Sequence, residues 1–235
     1  MKTYKLSHII LSFGLATSAA YAQDNFQNLN FEQANPVSAG NAEYPNLVTF
    51  TSALPGWTGS VGGVAVTDAS LNEVSLEAAS IDLLGPGNTS GLGVIDGNYS
   101  VYLQPGTSLE GTGSYTTSLA QVGTIPSSAQ SLTLEAWQPM YATPFSVSFA
   151  GNMLSPIVLS TGVSPSGQDY NVYGVNIAQF AGEYGQLEFT VYPDNYNSLR
   201  LDDIAFTTPV PEPGIVALTA IGGLLFGARK WFARR

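Results

Sequence analysis

The chain is predicted to be all-β, an antiparallel sandwich or jelly roll, and three observations carry that prediction. Short runs with two-residue alternation or β-branched enrichment recur along the body, punctuated by Gly, Pro, Asn and Ser. Lys and Arg, the usual residues of helix surfaces, are nearly absent between residues 23 and 208, where Arg200 is the only one. No repeat of fixed period marks a propeller or a solenoid.

Both ends fall outside this fold prediction. Lys2 and Lys5 form a positive start, an apolar run follows over residues 9–20, and Ala20-Tyr21-Ala22 has the A-x-A form of a cleavage site before Gln23. Residues 1–22 therefore read as a signal peptide, 23–208 as one β-sandwich domain and 209–235 as a separate C-terminal segment.

Taken in order, the strand signals in the body lie at residues 29–33, 47–51, 64–67, 74–84, 99–103, 115–121, 131–137, 145–150, 157–159, 168–177, 185–192 and 198–206. The alternation is clearest in Phe145-Ser-Val-Ser-Phe149, whose three apolar side chains share one face. Leu187, Phe189 and Val191 do the same, opposite Glu188, Thr190 and Tyr192. Such strands belong to sheets buried on one side. A single short helical piece is expected around residues 177–182.

Three short motifs resemble galactose-binding-like jelly-roll modules. Asn30-Phe31-Glu32 and Leu54-Pro55-Gly56-Trp57 are similar to the opening of such modules, and Asp202-Asp203-Ile204-Ala205-Phe206 to their closing strand. The resemblance implies a structural calcium ion joining the first and last strands, with Glu32 and Asp202 as the matching ligands. Strand parity adds a physical reason. Asp202 alternates with Ile204 and Phe206, so its carboxylate is expected on the core side, where an unpaired charge is costly. Calcium would remove that cost; so would Arg200 or backbone N–H donors. Trp57 reads as packing.

The C-terminal segment resembles a PEP-CTERM sorting signal: Pro211-Glu212-Pro213, an apolar run over residues 214–228, then Arg229, Lys230, Arg234 and Arg235 interrupted by Trp231, Phe232 and Ala233. Fifteen helical residues reach about 22 Å against a hydrocarbon core of about 30 Å. Snorkelling cations and interfacial aromatics would complete a span with the basic end in the cytoplasm. The resemblance implies an inner-membrane precursor processed near the tripeptide by an exosortase. The protein would then reside at the outer surface or in the extracellular matrix of a Gram-negative bacterium.

Composition excludes several chemistries. One cation against sixteen acids leaves the body near −15, which argues against nucleic acid and anionic lipid as partners. With no cysteine, and with the lone His8 in the signal peptide, the mature chain has no thiol nucleophile, histidine-based triad or histidine-bound zinc. A noncatalytic role is expected: a surface or matrix protein, with polysaccharide binding at Trp137 and Tyr141, where a strand runs into a loop. The alternatives are a purely structural matrix or adhesion protein and, further off, a carboxylate-based polysaccharide-degrading enzyme.

Overall fold

In a computed structural model the described residues are 25–73, 78–89, 91–107, 113–139, 144–193 and 197–208. The predicted signal peptide, Pro211, Glu212, Pro213 and Tyr141 lie outside them. Among the described residues no helix is long and apolar enough to cross a membrane.

The first half of the chain contains β1 (Leu47–Thr49), a helical turn α1 (Phe50–Ala53), β2 (Thr58–Val61), β3 (Val64–Ala65), β4 (Asp68–Leu71), β5 (Ser80–Leu84), β6 (Ser100–Gln104), β7 (Gly106–Thr107) and β8 (Ser114–Tyr115). The second half contains β9 (Thr117–Thr124), β10 (Ser131–Trp137), β11 (Ser146–Phe149), β12 (Asn152–Leu154), β13 (Ile157–Val163), β14 (Asp169–Asn176), a 3-10 turn at Ala178–Phe180, β15 (Tyr184–Val191) and β16 (Leu199–Thr207). An eight-stranded sheet runs β1-β4-β5-β6-β16-β10-β14-β13, and a six-stranded sheet runs β12-β11-β15-β9-β2-β3. Pairing within them is antiparallel except between β4 and β5. The architecture is a β-sandwich, as predicted.

One core lies between the sheets. From the large sheet it takes Leu83, Val101, Leu103, Leu132, Leu134, Leu199 and Leu201; from the small sheet, Leu119, Val147, Phe149, Leu187, Phe189 and Val191. The alternating runs of β11 and β15 thus bury the faces that their spacing predicts. Gly59 in β2 sits where a side chain would strike Phe50 and Ile81, so the strand lies close against the opposite layer.

Residues 29–33 are not a strand. Asn28 and Phe31 have φ of 49° and 58°, and the Asn28 side chain accepts a hydrogen bond from the Gln33 amide at 2.9 Å. Asparagine tolerates the left-handed region and ties its own turn, which overrides the extended tendency of its neighbours. Phe31 is then fully buried. Beyond residue 49, the expected strand at 47–51 becomes α1. The strands β2 and β4 had no clear sequence signal, being rich in Gly, Ser, Ala and Asp. β13 continues four residues past its predicted end.

Candidate functional site

The three family-like motifs come together in space. Trp57 donates its indole N–H to the Asn28 carbonyl at 3.0 Å and stacks at a tilt between Phe31 and Phe189, with centroids 5.6 and 6.2 Å away. It is core packing. The turn that carries Phe31 also aims Glu32 at the loop before β6. The Glu32 carboxylate accepts the Asn98 amide at 2.7 Å, the Asn98 side-chain amide at 2.8 Å and the Tyr99 amide at 2.9 Å. Burial pushes the Glu32 pKa up, but the bonds from Asn98 and Tyr99 outweigh it and hold the group below its ordinary value. Gly97, at φ 57°, lies so close to this carboxylate that a side chain there would collide with it.

The closing strand grips the same loop from the other side. Asp202 accepts the Ser100 hydroxyl at 2.6 Å, the Asp96 amide at 3.2 Å and the Asp203 amide at 2.8 Å. Its expected orientation toward the core is corrected by the structure. The β10–β16 register shifts between Thr133 and Glu135, and Asp203 takes a φ of 46°. This bulge inserts one residue, so Leu199, Leu201 and Ile204 face the core while Arg200 and Asp202 face the outside of the large sheet. Asp202 is nevertheless only 1% exposed. Burial raises its pKa to about 7 against the lowering effect of its three donors.

The hydrogen-bond partners of Glu32 and Asp202 are N–H and O–H donors. Among the described residues, no group of three or more acids or histidines is gathered to hold a metal ion. A calcium ion shared by this pair would compete with the contacts to Asn98, Asp96 and Ser100.

Two cross-strand rows cover the outer face of the large sheet. In the first, register aligns Ser70, Asp82, Tyr102, Arg200 and Trp137 on five adjacent strands. Asp82 is fully buried, accepts the Ser80 hydroxyl at 2.7 Å and leaves its Oδ1 without a partner among the described residues. Desolvation raises its pKa to about 7, with Ser80 and Ser70 opposing and Glu73 adding to the rise. Arg200, the body's single cation, is 1% exposed. It donates to the Gly93 carbonyl and the Gln168 side chain, and its guanidinium lies 5.2 Å from the Trp137 ring centroid. The half-buried Trp137 therefore gives one ring face to Arg200. The neighbouring Gln138 amide donates to Asn197 at 3.5 Å.

The second row brings together acids that spacing along the chain does not connect. Glu135 opposes Asp202 in register and is hydrogen-bonded to Tyr170, while Asp203 and Asp96 stand near enough to act on it. Burial raises the Glu135 pKa, and the charges of Asp203 and Asp96 raise it further. Asp203 is pushed up by burial and then by Asp96. Asp96 lies in a loop, Glu135 in β10 and Asp203 in β16, so only the pairing of β10 with β16 shows the cluster.

No family model and no curated protein matches the chain. Among solved structures, the chain is similar to the K2 cleaved adhesin domain of Lys-gingipain. That match has 15% identity and a TM-score of 0.43, and covers 76% of this chain and 96% of that one. It is also similar to the enzymatically active domain of bacteriophage CBA120 tailspike protein 4, with 15% identity and a TM-score of 0.36, over 76% of this chain and 21% of that one. At these values neither likeness assigns a family or a function.

Proposed function

We propose that the chain is an exported, noncatalytic surface or extracellular-matrix protein whose sandwich binds polysaccharide. In this reading it is delivered through a PEP-CTERM-like tail, with the inner membrane and an exosortase as transient partners. The observation that carries the reading is the use of Arg200. Arg200, the body's only Lys or Arg, is buried against Trp137, so the charged side chains of the exterior are acids alone, and the indole stands beside the Gln138 and Asn197 amides. Aromatic rings flanked by amides suit sugar rings. A surface without cations suits a neutral glycan, or an acidic one reached through divalent ions. The test is saturable binding of the exported protein to a panel of polysaccharides, with calcium and with chelator. Binding lost in Trp137→Ala and kept in Trp137→Phe is the expected result. No binding in either condition would leave a purely structural matrix or adhesion role.

A second reading has its own observation. Glu135, with a raised pKa and with Asp203 and Asp96 nearby, has the chemistry of a glycosidase acid beside further carboxylates. Release of reducing ends from a polysaccharide, abolished by Glu135→Gln, would establish an enzyme in place of the noncatalytic role.

A further inference from the structure

The two large sheets have four outer edges, and three of them are blunted. β3 has two residues and β12 has three. β1 has three and is crossed by the preceding segment, in which Ala39 donates to the Leu47 carbonyl and Thr49 donates to the Val37 carbonyl. The fourth edge, β13, has seven residues and pairs with β14 alone among the described residues. Ile157, Val158 and Val163 on it are 50%, 51% and 64% exposed. Charged side chains and proline ordinarily keep an edge strand from pairing with another chain, and β13 has neither. Its one protection is a bulge at Leu159, which leaves residues 160–163 in regular register.

The open N–H and C=O groups of such an edge accept a strand, and charge identifies which strand. Residues 136–168 contain no Asp, Glu, Lys, Arg or His, although the body as a whole is near −15. That run builds β11, β12 and β13, so it supplies one edge of each sheet. A cationic partner finds no anchor there and is drawn to the acids elsewhere. A second copy of the chain meets like-charge repulsion over the rest of the body and none along this run. Orientation follows from Asp169, the first acid past the run, which opposes Val163 in register. Antiparallel pairing about a twofold axis near Ser160 holds the two copies of Asp169 about 25 Å apart, whereas in-register parallel pairing would hold them about 14 Å apart.

We propose that β13 is a homotypic docking edge, through which two copies join antiparallel and extend their eight-stranded sheets into one. The proposal concerns self-association and does not depend on the polysaccharide reading. Because the chain has no cysteine, single cysteines report the contact directly. Ser160→Cys and Thr161→Cys at the middle of the strand are compared with Val64→Cys on the exposed β3. All are made in the full chain, held in mild detergent under gentle oxidation and read on a non-reducing gel. The β13 variants are expected to give about tenfold more disulfide-linked dimer, a preference of about 1.4 kcal/mol. Adding Val163→Lys to Ser160→Cys is expected to remove the dimer with the melting temperature unchanged. Equal crosslinking at β3 and β13, absence of dimer, or dimer that survives Val163→Lys would overturn the proposal.

Discussion

Asp82 and Asp202 couple this protein's stability to pH in an unusual direction for carboxylates. Each has a pKa raised to about 7 by burial. In the unfolded chain an aspartate loses its proton near its ordinary value of 3.8, so between roughly pH 4 and 7 the folded form binds more protons. The stabilisation is complete below that window and is lost as pH rises through it. Asp82→Asn removes the buried charge while keeping the shape. The variant is expected to melt higher than the parent at pH 8, by an amount on the order of 1–4 kcal/mol, and to lose that advantage near pH 4. Thermal melts across pH check this, and parallel curves for the two proteins would refute it. Glu32 makes a different contribution, accepting three N–H donors from the loop before β6. Glu32→Ala is expected to destabilise by about 1–3 kcal/mol. Melting with calcium and with chelator separates the clamp as arranged, which predicts equal values, from a calcium ion at Glu32 and Asp202, which predicts a higher value with calcium.

At the level of the element, one bulge decides what the closing strand presents. Unbroken alternation would put Asp202 in the core with Ile204; the inserted residue at Asp203 places Asp202 and Arg200 on the outer face together. The cost is a left-handed backbone at a residue with a side chain, on the order of 1 kcal/mol. Asp203→Gly is therefore expected to be neutral or stabilising by up to about 1 kcal/mol. Asp203→Val, branched at Cβ, is expected to destabilise by about 1–2 kcal/mol or more. Denaturant melts of the two variants decide the matter, and equal effects would count against a bulge at this position. The turn at Asn28 acts in the same way near the start of the chain, beside the closing strand, where the Ile204 amide donates to the Leu29 carbonyl at 3.0 Å. It converts a predicted strand into the support for Phe31 and Glu32.

For the whole molecule, the governing fact is the segregation of charge. All seven basic residues lie in the predicted leader, in the tail or at buried Arg200, while sixteen acids belong to the body. Net charge of this kind favours solubility, and the run of residues 136–168, which has no acidic or basic residue, is where self-association is proposed. The tail is expected to act as an anchor in its own right. Deleting residues 211–235 should move the protein from the membrane fraction into the soluble exported fraction, followed by fractionation and immunoblotting. A deletion variant that stays in the membrane fraction would remove the anchor from the proposed route.

What the amino-acid sequence determined by itself is what depends on residue type and short spacing. It fixes the absence of thiol and imidazole chemistry in the body, the acidic balance and the all-β class, and in β11 and β15 it names the buried face. These properties are local, because side chains alternate every two residues and a missing residue type is missing in any fold. Only the tertiary structure decided the site. It reversed the face of Asp202, placed Asp82 and Arg200 in one row with Trp137, and gathered Asp96, Glu135 and Asp203 from a loop and two strands. Register between strands distant in the chain is set by the pairing of whole edges and by bulges such as Asp203, and neither leaves a mark in the local alternation of residues.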